Sequence, residues 1–285
     1  MNLRKPLATI HVSNDLSLTQ RMAYAVILKH FYSNPKPKNG GFRGISVSVL
    51  SHAMGYVKKD FFYLDEQLAK LQSTLIQWLG DKEGEFRRVN FFSYTELKDG
   101  VFYYDFHPIL ESHIKDKKNL FALLEIGCMR LLRKKSSLAL YELTARYRPN
   151  SKSGFKYGSR SYDLSELRLL LVGSADKYST YPDFNKYVLK PAIKEINEKT
   201  DLFLVPVVKK EGRSVVAVKF EVTINAPYDK RSGSLPSLVN SKISDYVEAP
   251  YCEDEFFPES AESAESAFSA ATEIWGQLSK EEKSS

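Results

Sequence analysis

The spacing of apolar positions changes character between Tyr178 and Val222. Phe184, Val188, Ala192 and Ile196 recur every four residues, and Leu189 and Ile193 widen the stripe. Asn185, Lys186, Lys190, Lys194 and Glu198 fall outside it, so the pattern predicts an amphipathic helix. Pro182 suits a first helical position, where no N–H bond is lost. Asp183 then lies in the first turn, where the helix dipole favours a negative charge. Pro191 interrupts the pattern, because an internal proline removes one hydrogen bond and crowds the carbonyl four residues back. The expectation is a kink at Lys190, or a short turn followed by a helix from Pro191. After Thr200 the period falls to two. Leu202, Leu204 and Pro206 alternate with Phe203 and Val205, and Val216, Val218, Phe220 and Val222 with Val215, Ala217, Lys219 and Glu221. Between the runs, Lys209-Lys210-Glu211-Gly212-Arg213 reads as a charged turn whose glycine supplies a positive φ. Helix, strand, basic turn, strand is the order of a winged helix. A core helix packed on a hairpin, with no ligand, would carry the same pattern.

The first half repeats that order. Met1 to Val12 reads as a short extended arm. Ser17-Leu18-Thr19-Gln20 has the form of a capping box, opening a helix to about Tyr32 with Met22, Ala23, Val26, Ile27 and His30 inward. Ser33 to Gly44 is a loop, and Ile45 to Met54 a strand end and short helix closed by Gly55. Asp60 caps a helix marked by Phe61, Leu64, Leu68, Leu71 and Leu75, with a strand taking over near Thr74. Asp81 to Gly84 is a turn, and Arg87 to Tyr94 and Val101 to Phe106 alternate as strands around Lys98-Asp99-Gly100. Ser136 to Tyr147 is a helix, and Asp163 with Glu166 opens another that ends at Gly173.

The simplest account is an α+β chain of two tandem winged-helix domains. An N-terminal arm covers 1–13, winged-helix domain 1 covers 14–132 and domain 2 covers 133–225. Three-helix bundles with an added hairpin would look alike. From Ala226 the chain turns to Ser, Pro, Ala and Glu, and Glu259 to Ala267 reads ESAESAESA. Such composition buries too little apolar surface to offset chain entropy, so 226–285 is expected to be a disordered acidic tail. Within it, Ala267 to Leu278, with Phe268, Ala271, Ile274 and Trp275, has the spacing of one short amphipathic helix.

Charge sharpens this picture. Residues 245–285 carry 11 Asp and Glu against two Lys, a net of −9, while residues 1–244 carry 39 Lys and Arg against 24 acids, a net of +15. A basic body with an acidic tail points to a polyanion partner. Ordinary solubility charge is the plainer alternative. No apolar run is long enough for a membrane span, and MNLRKPLATIHV lacks an h-region and a cleavage signal. Cys128 and Cys252 are too far apart for a metal motif, so a reduced, cytoplasmic protein is expected.

Catalytic patterns are missing. The sequence holds no Gly-x-x-x-x-Gly-Lys-Ser/Thr, no Gly-x-Gly-x-x-Gly and no Gly-x-Ser-x-Gly. His11, His30, His52, His107 and His113 show no metal-ligand spacing, which argues against a metal-dependent nicking enzyme. His30 reads as a helix-face residue, His107 as structural and Cys128 as a small buried hydrophobe. The expectation is a protein that is not an enzyme, with no catalytic residue, no metal and no cofactor.

Several blocks of the chain resemble one family. Asn14-Asp15-Leu16-Ser17-Leu18 is followed by Gln20-Arg21. Next come Gly55-Tyr56, Lys59-Asp60, Tyr63-Leu64 and Leu71-Gln72-Ser73-Thr74, then Leu140-Tyr141-Glu142-Leu143 with Arg146-Tyr147-Arg148. The most specific block is Tyr178, Asp183-Phe184, Val188-Leu189-Lys190-Pro191-Ala192, Lys194-Glu195-Ile196-Asn197 and Thr200-Asp201-Leu202, completed by Lys210-Glu211-Gly212-Arg213. In this order, from about Ile10 to Val222, the chain resembles the initiator (Rep) proteins of iteron-type plasmids. The acidic tail lies outside the resemblance.

The resemblance implies a replication initiator that binds direct repeats (iterons) in double-stranded DNA at a plasmid origin. The second domain would read bases in the major groove while the first holds backbone. Monomers would initiate, and dimers joined largely through the first domain would repress the initiator's own promoter or restrain copy number. Host replication proteins such as a helicase would supply the motor. Family members often carry several Arg in the recognition helix, whereas Thr180 to Tyr187 carries none, which suggests a different repeat. Asn185 suits adenine and Lys186 guanine, while Asp183 suits cytosine or simply the helix N-terminus. Tyr178, Thr180 and Lys190 complete the reading surface. Lys177, Lys209, Lys210 and Arg213 are phosphate candidates, matched in the first domain by Lys58, Lys59, Arg87 and Arg88. A winged-helix transcription regulator shares the same physics, and a protein-interaction adaptor without DNA binding remains a third reading.

Overall fold

The computed structural model describes residues 2–6, 9–10, 16–37, 40–56, 60–79, 86–116, 121–149 and 157–225. The expected tail, the Asp81–Gly84 turn, Lys58 and Lys59 lie outside them. Met1–Trp78 and Arg88–Glu248 form one compact unit. A second unit, Leu79–Arg87 with Ala249–Ser285, holds described residues only at Leu79, Phe86 and Arg87.

The arm is a strand, β1 (Asn2–Pro6), paired antiparallel with β7 (Phe121–Glu125). Helix α1 (Leu18–Ser33) starts on the expected capping box. Ser17 Oγ accepts from the Gln20 amide at 3.2 Å, and Gln20 Oε1 accepts from the Ser17 amide at 2.8 Å. Strand β2 (Arg43–Ser46) leads into α2 (Val47–Met54), which Gly55 closes, and Asp60 caps α3 (Phe61–Ser73) through the Tyr63 amide. Strands β3 (Leu75–Leu79) and β4 (Phe86–Asn90) form a two-stranded sheet, and β5 (Phe92–Lys98) and β6 (Val101–Phe106) a hairpin extended by β2 in the order β2-β6-β5. The single strand expected from Arg87 to Tyr94 is thus two, divided at Phe91, which is fully buried. Asp99 and Gly100 both have positive φ (51° and 73°), as a two-residue type I′ loop requires. An aromatic core fills this half: Phe92 stacks on Phe106 at 5.1 Å, and Tyr24, Phe31, Phe102 and Tyr104 close around the pair. Helix α4 (Pro108–Lys115) follows, with His107 capping the Ile109 amide and Pro108 at the first turn.

Past β7, α5 (Ile126–Leu131) leads to α6 (Lys135–Ala145), which packs against β7 on one side and against the second winged helix on the other. Its Glu142, fully buried, accepts from Lys5 Nζ of β1 at 2.6 Å and from Arg21 Nη1 of α1 at 2.8 Å. Burial pulls the Lys5 ammonium below its usual range, and Glu142 opposes that pull. A buried charge of this kind is tolerated only when paired, so the triad ties α6 to the first domain.

The second winged helix adds β8 (Tyr157–Gly158), β9 (Tyr162–Asp163) and α7 (Leu164–Val172), which Gly173 closes as expected. Next come α8 (Tyr181–Phe184), a π-helical turn (Asn185–Leu189) and α9 (Lys190–Lys199), running on as one helix. The hairpin β10 (Leu202–Glu211) and β11 (Ser214–Ile224) closes the unit. The sheet order is β10-β11-β8, with β9 also on β11, so among the described residues β10 is an edge strand. Pro206 lies mid-strand opposite Phe220, and its missing donor falls on the unpaired edge. Phe184, Val188, Leu189, Ala192, Ile193 and Ile196 are all buried, as are Leu202, Leu204, Phe220 and Val222, and α9 packs against α6 and β10.

The helix neither breaks nor restarts at Pro191. Steps of four drift by about 40° each on a 3.6-residue helix. The π-turn, closed by the Lys190 amide on the Asn185 carbonyl, takes up that drift and carries the chain past the proline without a break.

Candidate nucleic-acid interface

The exposed face of α8–α9 begins with its cap. Thr180 Oγ1 accepts from the Asp183 amide at 3.3 Å and donates to Asp183 Oδ2 at 2.8 Å. Asp183 is therefore engaged at the helix start, which favours the cap reading of this residue over base contact. Lys186, Lys190 and Lys194 are exposed along successive turns, and Asn185 is half-buried. Lys177, Tyr178 and Thr180 are exposed just ahead of the helix. Among the described residues Lys177, Lys186, Lys190, Lys210 and Arg213 have no carboxylate partner, while Lys194 lies 3.7 Å from Glu198 and Lys209 lies 3.8 Å from Glu211.

The basic turn is tighter than the sequence suggested. The ladder runs to Glu211 opposite Ser214, which leaves Gly212-Arg213 as a two-residue loop with Gly212 at φ 60°. Primed loops match the twist of the strands they join. Lys209 and Lys210 stand on β10 at a bulge, while Arg213 occupies the tip. Asn197 fixes this wing to the helix: its Oδ1 accepts from the Leu204 amide at 2.7 Å, and its Nδ2 donates to the Leu204 carbonyl at 3.0 Å. The helix and the base of the wing are thus tied together.

In the first domain Arg88 is exposed on β4, the side chain of Arg87 lies outside the described residues, and so do Lys58 and Lys59. Two features escaped the sequence reading. Tyr187 is 55% exposed, with its ring 6.1 Å from that of Tyr178 and the Lys186 ammonium 4.9 Å from its centroid. It lies off the four-residue stripe, which is the local sign of its outward position. Arg133 and Lys134 are exposed at the junction, where the Arg133 amide donates to Glu195 Oε1 at 2.9 Å and Lys199 Nζ to the Leu131 carbonyl at 3.3 Å. Burial pushes the Glu195 carboxyl up, yet the hydrogen bonds from Lys199 and the Arg133 amide help to hold the group below its usual range. Asp201 closes the same junction, accepting from Tyr141 at 3.0 Å and pairing with Arg148. His30 is a helix-face residue whose Nδ1 shares a 2.8 Å hydrogen bond with the Tyr104 hydroxyl, and Cys128 is buried, as expected.

Residues 2–145 match the family model described as Initiator Replication protein, WH1, and residues 163–222 match Initiator Rep protein, WH2. The chain belongs to the initiator replication (Rep) protein family. The PI protein of Escherichia coli is 28% identical over 163 residues, 55% of this chain, and the chain spans about half (50%) of that relative's length. The crystal structure of Pi initiator protein in complex with iteron DNA superposes with a TM-score of 0.62 at 23% identity, covering 79% of this chain and 98% of that one. That likeness is one of fold, and it joins two winged helices in one Rep chain. Among the described residues no helix is long and apolar enough to cross a membrane, and no group of His, Cys, Asp and Glu could hold a metal ion.

Proposed function

We propose that this chain initiates plasmid replication by binding direct repeats in duplex DNA at the origin. The observation that carries the reading is the row Lys186, Lys190 and Lys194 on the outer face of α8–α9, with Lys210 and Arg213 on a wing fixed to that helix. A helix of this width fits the major groove, where base edges differ in donors, acceptors and methyl groups. The wing cations and Lys177 meet phosphates and set register, while the first domain holds backbone on the neighbouring turn. The PI relative's solved complex with iteron DNA supports the same partner here. The chain carries no chemistry of its own in this reading: a host helicase supplies unwinding, and the bend imposed by two gripping domains assists opening. Self-association through the first domain would switch the protein from initiation to repression, and the cytoplasm is its setting.

Binding to short duplexes tiled across the DNA flanking the gene, at two salt concentrations, tests the proposal. Tight binding confined to a repeated segment, with a ladder of complexes, is the expected result. With about eight phosphates neutralised, log K should fall against log salt with a slope near −7. Binding confined to a single promoter site without repeats would favour a transcription regulator instead. Weak binding indifferent to sequence and lost at modest salt would overturn both.

A further inference from the structure

We infer that Tyr187 is a base-reading residue whose ring packs against the 5-methyl group of one thymine in each repeat, and that Tyr178 positions it; this rests on the proposed function. Tyr187 stands between Lys186 and Lys190 on the outer face of the recognition helix, 55% exposed, where an aromatic ring left in water gains nothing for the fold. The rest of that face is polar: Lys186, Lys190 and Lys194 supply donors, Asn185 is half-buried, and Asp183 is engaged in the cap. Of the features the major groove offers, only the thymine methyl is apolar. The apolar group on the helix therefore matches the apolar group in the groove, and the lysines match guanine and phosphate acceptors.

The backbone ahead of the helix supports a built arrangement. Tyr178 has φ 56°, a left-handed conformation that is uncommon for a bulky residue. Residues held in such conformations cluster at functional sites. Here the conformation brings the Tyr178 ring to 6.1 Å from Tyr187, with 31° between the planes, while Tyr178 itself stays 40% exposed. The Lys186 ammonium lies 4.9 Å from the Tyr187 centroid, within cation–π range. Tyr187 thus has two close neighbours, and more than half of its surface remains open to a ligand. The π-turn contributes as well, because Tyr187 lies within Asn185–Leu189, where Val188 and Leu189 are both buried.

The test uses the full chain and the repeat duplex found by tiling, with each thymine replaced singly by deoxyuridine to delete one methyl. Wild-type protein should lose about four-fold in affinity at one position, as expected for one methyl-sized apolar contact. Tyr187→Ala should bind more weakly and become indifferent to that position, while Tyr187→Phe should keep the wild-type sensitivity. Tyr178→Gly removes the ring and relieves the backbone; its melting temperature should not fall, yet its deoxyuridine sensitivity should shrink. A wild-type profile flat at every thymine, or a sensitivity that survives Tyr187→Ala, overturns the inference and leaves the repeat binding standing. Loss in Tyr187→Phe equal to that in Tyr187→Ala would assign the contact to the hydroxyl and overturn the methyl reading. Absence of repeat-specific binding by the wild-type protein overturns the proposed function and this inference with it.

Discussion

Helix α3 of the first winged helix and the α8–α9 helix of the second hold the same place in the order of elements, yet their outer faces differ in kind. On α3, Phe61, Phe62, Tyr63, Asp65, Glu66 and Lys70 are exposed, and Lys70 donates to Glu66 at 2.7 Å. On α8–α9 three lysines and a tyrosine fill the middle, and the exposed acids sit at the ends, Asp183 in the cap and Glu198 in the last turn. The wings diverge likewise. The β5–β6 loop is Asp99-Gly100, whereas the β10–β11 loop carries Arg213 at its tip with Lys209 and Lys210 beside it. One topology therefore serves two purposes, and the sign and spacing of charge on the outer face decide which. The first half spends its side chains on an aromatic core and on ties to α6, while the second carries the exposed basic face that the proposed function assigns to an anionic groove.

The contrast breaks most forcefully at α6. Glu142→Gln would leave Lys5 and Arg21 buried without their counter-charge, and should destabilise the protein by about 3–5 kcal/mol. Calorimetry would detect this as a large fall in melting temperature. Two separate transitions in the wild-type protein, with only one moved by the substitution, would show the halves to be less coupled than the triad implies.

A smaller effect confined to the first half concerns His30. Burial, and next the Arg43 charge, lower its pKa from 6.5 to about 4. The folded protein therefore binds this proton less readily than the unfolded chain. Stability is fully present above about pH 6.5 and falls as the pH drops towards 4, by about 2 kcal/mol after allowance for solvent screening. His30→Gln should flatten that part of a melting-temperature profile. An unchanged slope would assign the acid sensitivity to other groups.

Replacing Lys186 with Ala should cost about 1–3 kcal/mol at one base pair and relax preference there, measured by selection from randomised repeats. Replacing Lys210 with Ala should weaken all sequences alike and flatten the salt slope by about one. Equal, sequence-independent losses in both variants would erase the division between reading and holding.

Local signals carried far in this chain. The capping box at Ser17 and Gln20, the helix ends at Gly55 and Gly173 and the alternation of β11 were all legible, because each depends on residues within one or two turns of each other. The exposed lysines of α8–α9 were legible for the same reason. Long-range partners were not. Nothing near Glu142 in sequence announces that it meets Lys5 and Arg21, and nothing near Arg133 points to Glu195. The π-turn was written in the unbroken steps of four from Phe184 to Ile196, but the proline drew attention away from the drift those steps create. Helix α4 was passed over although Pro108 stands at its first turn, where proline is common. Tyr187 was passed over because aromatic residues usually pack, although its place off the four-residue stripe points outward.

The unpaired side of β10 also bears on how many copies can stand together. A protein that occupies tandem repeats is held shoulder to shoulder at a local concentration far above that of free solution. Asn197 already takes the Leu204 amide and carbonyl, but beyond Leu204 the outer edge of β10, with Val205 and Val207 exposed, would there be a template for adding neighbouring strands. Pro206 removes a donor from the middle of that edge, and Lys209 and Lys210 charge its far end. Under the proposed function, these residues would guard the wing against fusing with a neighbouring copy on the next repeat.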